Sequence, residues 1–128
     1  MIYVDTSVVF AALFAEERRS PAEFWAERLI SSRLLEFETW ARLNARRPTE
    51  DVIEAARRLV GSADLVEMSP IVVSRALEPF PVPVRTLDAF HLATATYLQA
   101  QGMRLRYATY DVRQSEVARA LKLDVFQP

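Results

Sequence analysis

Three aspartates carry the clearest chemical signal in the sequence. Asp5 follows the apolar run Ile2–Val4, Asp88 lies within the largely apolar segment 87–93, and Asp111 follows Thr109-Tyr110. A carboxylate close to a hydrophobic core is costly unless it is paired with a cation or bound to a metal. Arg85 is the one obvious basic neighbour of Asp88. Metal binding is therefore a natural explanation for this set of acids.

Hard divalent cations suit such a set. Mg²⁺ and Mn²⁺ prefer oxygen ligands and are often held by one or two carboxylates together with water and a substrate phosphate. An ion of this kind activates water for phosphodiester cleavage, and a second ion stabilises the leaving oxygen. The hydroxyls of Thr6, Ser7 and Thr109 are expected to hold the carboxylates or bound waters in place. The sequence leaves open whether one or two metals bind.

Each aspartate also has a purely structural explanation. Asp5 and Asp88 fall where helices are predicted to begin, and acids favour helix N-termini. Asp111 is compatible with an ordinary turn. Only their convergence at one place would distinguish a functional site from three local roles.

Other catalytic schemes find less support. The chain has no cysteine, which excludes thiolate chemistry, and only two glycines, which excludes a glycine-rich phosphate loop. A Ser-His-Asp site would have to use His91, the only histidine, whose spacing from Leu87 and Ala95 favours an interior or helix-packing position. A two-carboxylate glycosidase is not excluded by spacing alone, although the chain is small for a sugar cleft.

Short apolar runs alternate with longer helical patterns along the chain. The predicted strands are Ile2–Val4, Leu65–Met68, Leu105–Ala108 and Asp124–Phe126. A first helix is predicted to begin after Thr6 or Ser7 as its N-cap. Further helices are predicted at about Ser20–Ile30, Leu34–Arg46, Glu50–Val60 (capped by Thr49), Thr86–Gln101 (ended by Gly102) and Arg113–Leu121. The three prolines within Glu78–Val84 predict an extended connection.

This alternation predicts an α/β fold with three α/β/α layers around a short, mainly parallel central sheet. In such folds a ligand binds beyond the carboxyl ends of the strands. Asp5 and Asp111 each follow a predicted strand, and Asp88 lies in the first turn of a predicted helix. The three aspartates are therefore expected at the same edge of the sheet.

Composition is that of a folded protein. The chain has 128 residues, of which 51% are hydrophobic, so residues 1–128 are expected to form a single domain. The first residues do not have the pattern of a signal peptide, and no apolar run is long enough to span a bilayer, so no membrane association and a cytoplasmic location are expected. The net charge is −1, and the 16 basic residues are all arginine except Lys122. The arginines reflect either codon bias or contacts with phosphate.

Four segments together resemble the PIN-domain ribonucleases, in particular the VapC-type toxins of bacterial toxin–antitoxin pairs. Ile2–Ser7 is similar to the first strand and acidic residue of that family, and Ser31–Glu38 to its serine and following acidic helix. Pro83–Ala95 is the most specific match, and Ala108–Asp111 resembles the last acidic motif. The resemblance covers essentially the whole chain.

The resemblance implies a site and an activity. The metal-binding and catalytic acids of the family correspond to Asp5, Glu38, Asp88 and Asp111. Glu36 competes with Glu38, but on a helix the two point about 200° apart, and the spacing from Ser32 favours Glu38. The implied activity is a Mg²⁺- or Mn²⁺-dependent endoribonuclease acting on RNA, often transfer RNA. A VapB-type antitoxin that covers the site, and a toxin homodimer, are implied as well.

Two other functions stay open at this stage. One is a catalytically silent PIN-like module that only binds RNA or a protein partner. The other is an α/β phosphatase or phosphoryl-transfer domain, which commonly has a second aspartate two residues after the first. Ser7 occupies that position here, which favours the nuclease.

Overall fold

A computed structural model describes all residues from Met1 to Pro128. The five strands are β1 (Ile2–Val4), β2 (Leu29–Ser32), β3 (Ala63–Val66), β4 (Arg106–Ala108) and β5 (Asp124–Phe126). The six helices are α1 (Thr6–Leu13), α2 (Leu34–Asn44), α3 (Glu50–Gly61), α4 (Pro70–Leu77), α5 (Thr86–Ala100) and α6 (Val112–Ala120).

All strand pairings of the central sheet are parallel, and the strand order is β3-β2-β1-β4-β5. Alternate residues of β1 face opposite layers, as the pleat requires. Tyr3 packs in the core beneath α5 and α6, whereas Ile2 and Val4 pack in the core formed with α1, α2 and α3. The predicted three-layer α/β/α architecture with a parallel sheet is confirmed.

Local sequence explains where most helices begin. The Thr49 hydroxyl accepts from the backbone N–H of Val52 and caps α3, as predicted. Ser69 caps α4, and Pro70 follows it at the first helical position, where a missing N–H costs nothing. The predicted capping of α1 by Thr6 or Ser7 is wrong, because Asp5 is the N-cap and accepts from the Ser7 backbone N–H.

The predicted helix over Ser20–Ile30 is also wrong. A 3₁₀ turn occupies Ala22–Ala26, and the chain then forms β2. Every residue of β2 is buried, so the strand shows none of the alternation that would identify it. The two serines that end it are held inside, since the Ser31 hydroxyl donates to the Val4 carbonyl and Ser32 Oγ accepts from the Leu34 backbone N–H.

The longest helix, α5, has 15 residues. None of the helices combines the length and the apolar character needed to cross a lipid bilayer.

Candidate active site

The strand order reverses between β1 and β4. From β1 the chain continues to β2 and β3 on one side, whereas β4 and β5 lie on the other side. Such a switch point opens a crevice at the carboxyl ends of the two central strands. Asp5 directly follows β1, and Thr109 to Asp111 directly follow β4. The fold therefore brings both acidic segments to the position where α/β proteins bind ligands.

Asp5 is held rigidly at this edge. It is 4% exposed, and its Oδ2 accepts from the Ser7 backbone N–H (3.2 Å), the Ser7 hydroxyl (2.5 Å) and the Thr109 hydroxyl (2.9 Å). All of these bonds fall on one carboxylate oxygen, so Oδ1 stays available for another partner. The hydroxyls of Ser7 and Thr109 therefore hold the Asp5 carboxylate in place.

Asp88 and Asp111 lie on either side of one arginine. Arg85 donates from Nε to Asp88 Oδ2 (3.2 Å) and from Nη2 to Asp111 Oδ2 (2.7 Å). Asp111 is also the N-cap of α6, since its Oδ1 accepts from the Gln114 backbone N–H. The buried Gln114 side chain donates to Asp88 Oδ1 (3.2 Å). Arg85 itself is 65% exposed, so it can leave both carboxylates without disturbing an element.

Burial and neighbouring negative charges both affect the pKa of Asp88. Burial raises the pKa of Asp88 above its usual 3.8, and the nearby charges of Asp5 and Asp111 raise it further. Arg85 lowers this pKa but does not cancel the increase. Burial and the neighbouring negative charges disfavour the ionised form of Asp88, and a bound cation would stabilise that form.

Glu38 reaches the cleft from α2 and lies in a separate network. Its Oε1 accepts from the Thr6 hydroxyl (3.0 Å) and lies 2.6 Å from Nε2 of His91. Nδ1 of His91 in turn lies 2.9 Å from the Tyr3 hydroxyl. Glu36, the rival of Glu38, instead forms an ion pair with Arg33 at 3.2 Å.

His91 is fully buried, as its spacing predicted, yet it is more than a packing residue. Burial lowers the pKa of His91, but the hydrogen bond to Glu38 and the charges of Asp5, Glu38 and Asp88 outweigh burial and raise it above 6.5. A carboxylate oxygen can only accept, so we infer that Nε2 carries the proton in this 2.6 Å contact and that its N–H fixes the Glu38 carboxylate. No local sequence pattern indicates this contact, because His91 and Glu38 lie 53 positions apart.

One cleft of about 520 Å³ contains all four acids. Its remaining lining comes from Thr6, Ser7, Phe10, Glu16, Arg42, Arg85, Thr86, Leu87 and Tyr110. A larger cavity of about 670 Å³ lies at the opposite edge of the sheet, near Met1, Arg104 and Arg106. Only the smaller cleft combines the carboxylates with the switch point, so we assign the candidate site there.

The side chains of the cleft offer the type of ligand atom that a hard divalent cation prefers. All four acids offer oxygen ligands, and Asp5 Oδ1 accepts none of the bonds that hold the side chain. With Arg85 between Asp88 and Asp111, and Glu38 turned to His91, no three of these side chains converge as a ready metal-ligand group. Oδ2 of Asp88 and Oδ2 of Asp111 are therefore open to a cation only when Arg85 withdraws.

Comparison with known proteins of similar sequence identifies the family of the chain. A family model described as "PIN domain" matches residues 2–120. Ribonuclease VapC35 of Mycobacterium tuberculosis (strain CDC 1551 / Oshkosh) is 31% identical over 134 aligned positions, covering 100% of this chain and 97% of that protein. Ribonuclease VapC47 of the same strain is 30% identical over 120 positions, covering 88% and 86%. Ribonuclease VapC46 of strain ATCC 25618 / H37Rv is 39% identical over 80 positions, covering 62% and 59%.

The chain belongs to the PIN-domain family. Its similarity over the full length to ribonucleases of one named group further identifies it as a VapC-type member of that family.

Proposed function

We propose that Asp5, Glu38, Asp88 and Asp111 bind a divalent cation and catalyse RNA cleavage. As a VapC-type protein, the chain is an endoribonuclease and the toxin of a toxin–antitoxin pair. The observation that supports our assignment is the meeting of four acids, from four separate segments, in one cleft at the switch point. The phosphatase alternative needs a second aspartate two residues after Asp5. That position is Ser7, whose hydroxyl donates to Asp5.

The residues of the chain would contribute by holding oxygen ligands in place. A bound Mg²⁺ or Mn²⁺ supplies an activated water and stabilises the charge that develops on the phosphate. Ser7 and Thr109 fix Asp5, and His91 with Thr6 fixes Glu38. Asp5 and Glu38 are thereby oriented before substrate arrives, which reduces the reorganisation needed during the reaction.

The ion and the partners are part of the same proposal. We assign Mg²⁺, with Mn²⁺ as a substitute, because hard cations match an all-oxygen donor set. The substrate is RNA, with transfer RNA as the specific candidate, and the partner is a VapB-type antitoxin that covers the cleft. We also propose a homodimer of a single-domain chain in the cytoplasm. Exposed apolar side chains such as Leu77 (83% exposed) and Phe37 (64%) offer surface for these contacts.

The test is cleavage by purified variants. Wild type is expected to cleave RNA when Mg²⁺ or Mn²⁺ is present and to stop when EDTA is added. Asp5→Asn and Asp88→Asn should each lower the rate by at least about 100-fold, because positioned electrostatic groups contribute on that order. End sequencing of the cleaved RNA would identify the substrate class.

The matched control is Asp64→Asn, which makes the same chemical change at an exposed residue of β3. It should cleave like wild type. Full activity in both Asp5→Asn and Asp88→Asn would contradict the site assignment, whereas no cleavage by wild type under any metal condition would contradict the activity itself.

A silent binding module is the second candidate, and one observation favours it. Arg85 already forms ion pairs with both Asp88 and Asp111, as an arginine would in a site that no longer binds a cation. Calorimetric titration with Mn²⁺ separates the two proposals. Binding that Asp88→Asn weakens supports the nuclease, and absence of Mn²⁺ binding together with retained RNA binding supports the silent module.

A further inference from the structure

Two arginines beside the acidic cleft are stacked on aromatic rings. The guanidinium carbon of Arg42 lies 4.3 Å from the centre of the Phe10 ring, and that of Arg46 lies 4.1 Å from the Phe14 ring. Arg42 and Phe10 also line the cleft itself.

Helical geometry aligns the two stacks. Phe10 and Phe14 are four residues apart at α1, with ring centres 5.9 Å apart, and Arg42 and Arg46 are four residues apart at the end of α2. Four residues of a helix advance about 6 Å. The first stack therefore lies at the cleft wall, and the second lies one turn further from the acids.

Both guanidinium groups are free of carboxylate partners. Neither Arg42 nor Arg46 has an acidic oxygen within 4.0 Å, and both are exposed. The arginines that do form such pairs with carboxylates are Arg33, Arg57, Arg75, Arg85 and Arg106. A ring beneath a guanidinium fixes its plane and leaves the N–H edges open for a bidentate acceptor such as two oxygens of a phosphate.

The chemistry of this surface favours a polyanion over a protein partner. The guanidinium groups cover the faces of Phe10 and Phe14, so an approaching apolar helix meets charge rather than a hydrophobic ridge. An RNA strand, in contrast to an apolar helix, is attracted by this positive charge. It must approach a cleft with four acids plus Glu16, and cations at the rim offset that repulsion.

We propose that Arg42 and Arg46 bind phosphates of the RNA strand on one side of the scissile bond, with Phe10 and Phe14 holding the two guanidinium groups in place. The proposal rests on RNA being the substrate of the adjacent acidic site. The proposal also gives the direction in which the RNA leaves the cleft, which is along α1 toward the carboxyl ends of α1 and α2.

The test compares Arg42→Ala, Arg46→Ala and the double variant with Arg104→Ala. Arg104 is an exposed arginine at the cavity of the opposite sheet edge, so it controls for loss of charge alone. Affinity for a fluorescein-labelled, short single-stranded RNA is measured by anisotropy in EDTA, from about 50 to 200 mM salt. Steady-state cleavage is measured in Mg²⁺.

Arg42→Ala and Arg46→Ala are each expected to raise Kd and KM about tenfold, the usual effect of losing a charged hydrogen bond, with little change in kcat. The slope of log K against log salt should become shallower by about 0.7 for each arginine lost. The double variant Arg42→Lys with Arg46→Lys should keep the slope of wild type with an intermediate affinity, because lysine keeps the charge but not the planar fork. Arg104→Ala should match wild type.

An unchanged Kd and salt slope in the folded double alanine variant would overturn the proposal, and would assign this surface to a protein partner instead. Failure of the proposed activity gives a different result. Wild type would then bind RNA through these arginines in EDTA but would cleave nothing in Mg²⁺.

Discussion

Glu36 and Glu38 lie two positions apart on α2 and have different surroundings. Glu38 lines the acidic cleft and contacts His91, whereas Glu36 forms an ion pair with Arg33 outside it. We expect Glu38→Gln to lower RNA cleavage by at least about tenfold, because loss of one oriented charge near a reacting phosphate commonly costs that much or more. Initial cleavage rates in Mg²⁺ measure the effect.

Glu36→Gln is the matched control for that variant. It removes only a surface ion pair, and such pairs contribute about 0–1 kcal/mol to stability. Its cleavage rate should equal that of wild type. Equal losses in the two variants, with both proteins folded, would contradict the assignment of Glu38 as the acid of the cleft.

Single residues also mark the limit of what the sequence predicts. The positions of Asp5, Asp88 and Asp111 follow from strand and helix ends, and the structure brings them to one cleft as expected. The contacts of His91 with Tyr3 and Glu38 join residues 88 and 53 positions apart. No local pattern reports such a pairing, because it depends on how β1, α2 and α5 pack.

At the scale of elements, two of the proposed catalytic aspartates also begin helices. Asp5 caps α1 and Asp111 caps α6. Asparagine preserves a cap and alanine does not, so Asp5→Ala and Asp111→Ala should be less stable than the corresponding asparagine variants by about 1 kcal/mol. Urea unfolding followed by circular dichroism measures the difference.

Cleavage separates the two roles of each aspartate. All four variants should be inactive, because none keeps the charge, while only the alanine variants lose helix stability. If Asp111→Ala and Asp111→Asn were equally stable, the cap would contribute nothing and the role of Asp111 would be purely chemical. Thr49→Ala, at the cap of α3, should lose stability but keep activity.

Some elements were not predictable from their own residues. β2 is buried on both faces and only four residues long, so its apolar run gives no period by which to distinguish a strand from a helix. α4 begins with the favourable pair Ser69-Pro70, but none of the predicted helices or strands covers it. The strands that precede Asp5 and Asp111 are predictable because polar residues follow each of them directly.

At the scale of the whole molecule, a near-neutral chain contains an uneven distribution of charge. The net charge is −1, yet four acids meet in one cleft, with the unpaired Arg42 at its wall and the unpaired Arg46 one helical turn away. The strand order causes this separation, because it brings the ends of β1 and β4 together while α2 and α5 bring Glu38 and Asp88 from either side.

This concentration of charge should lower the stability of the metal-free protein. The pKa of Asp88 is raised in the folded state, so the folded chain holds this proton more tightly than the unfolded chain. Stability linked to that proton is fully present below the usual pKa of 3.8 and is lost as the pH rises through the higher folded value. At pH 7 the ionised Asp88 therefore destabilises the fold.

Asp88→Asn should consequently raise Tm at pH 7 in EDTA, and the gain should shrink as the pH is lowered toward 4. Mn²⁺ should reverse the order. A cation that binds only the folded state stabilises it by about 2.7 kcal/mol at 100 times its Kd, and wild type should gain more than Asp88→Asn because it keeps the ligand. Thermal unfolding by circular dichroism, with and without Mn²⁺, measures both effects. Equal Mn²⁺-induced shifts in the two proteins would mean that Asp88 does not bind the cation, whatever its effect on cleavage.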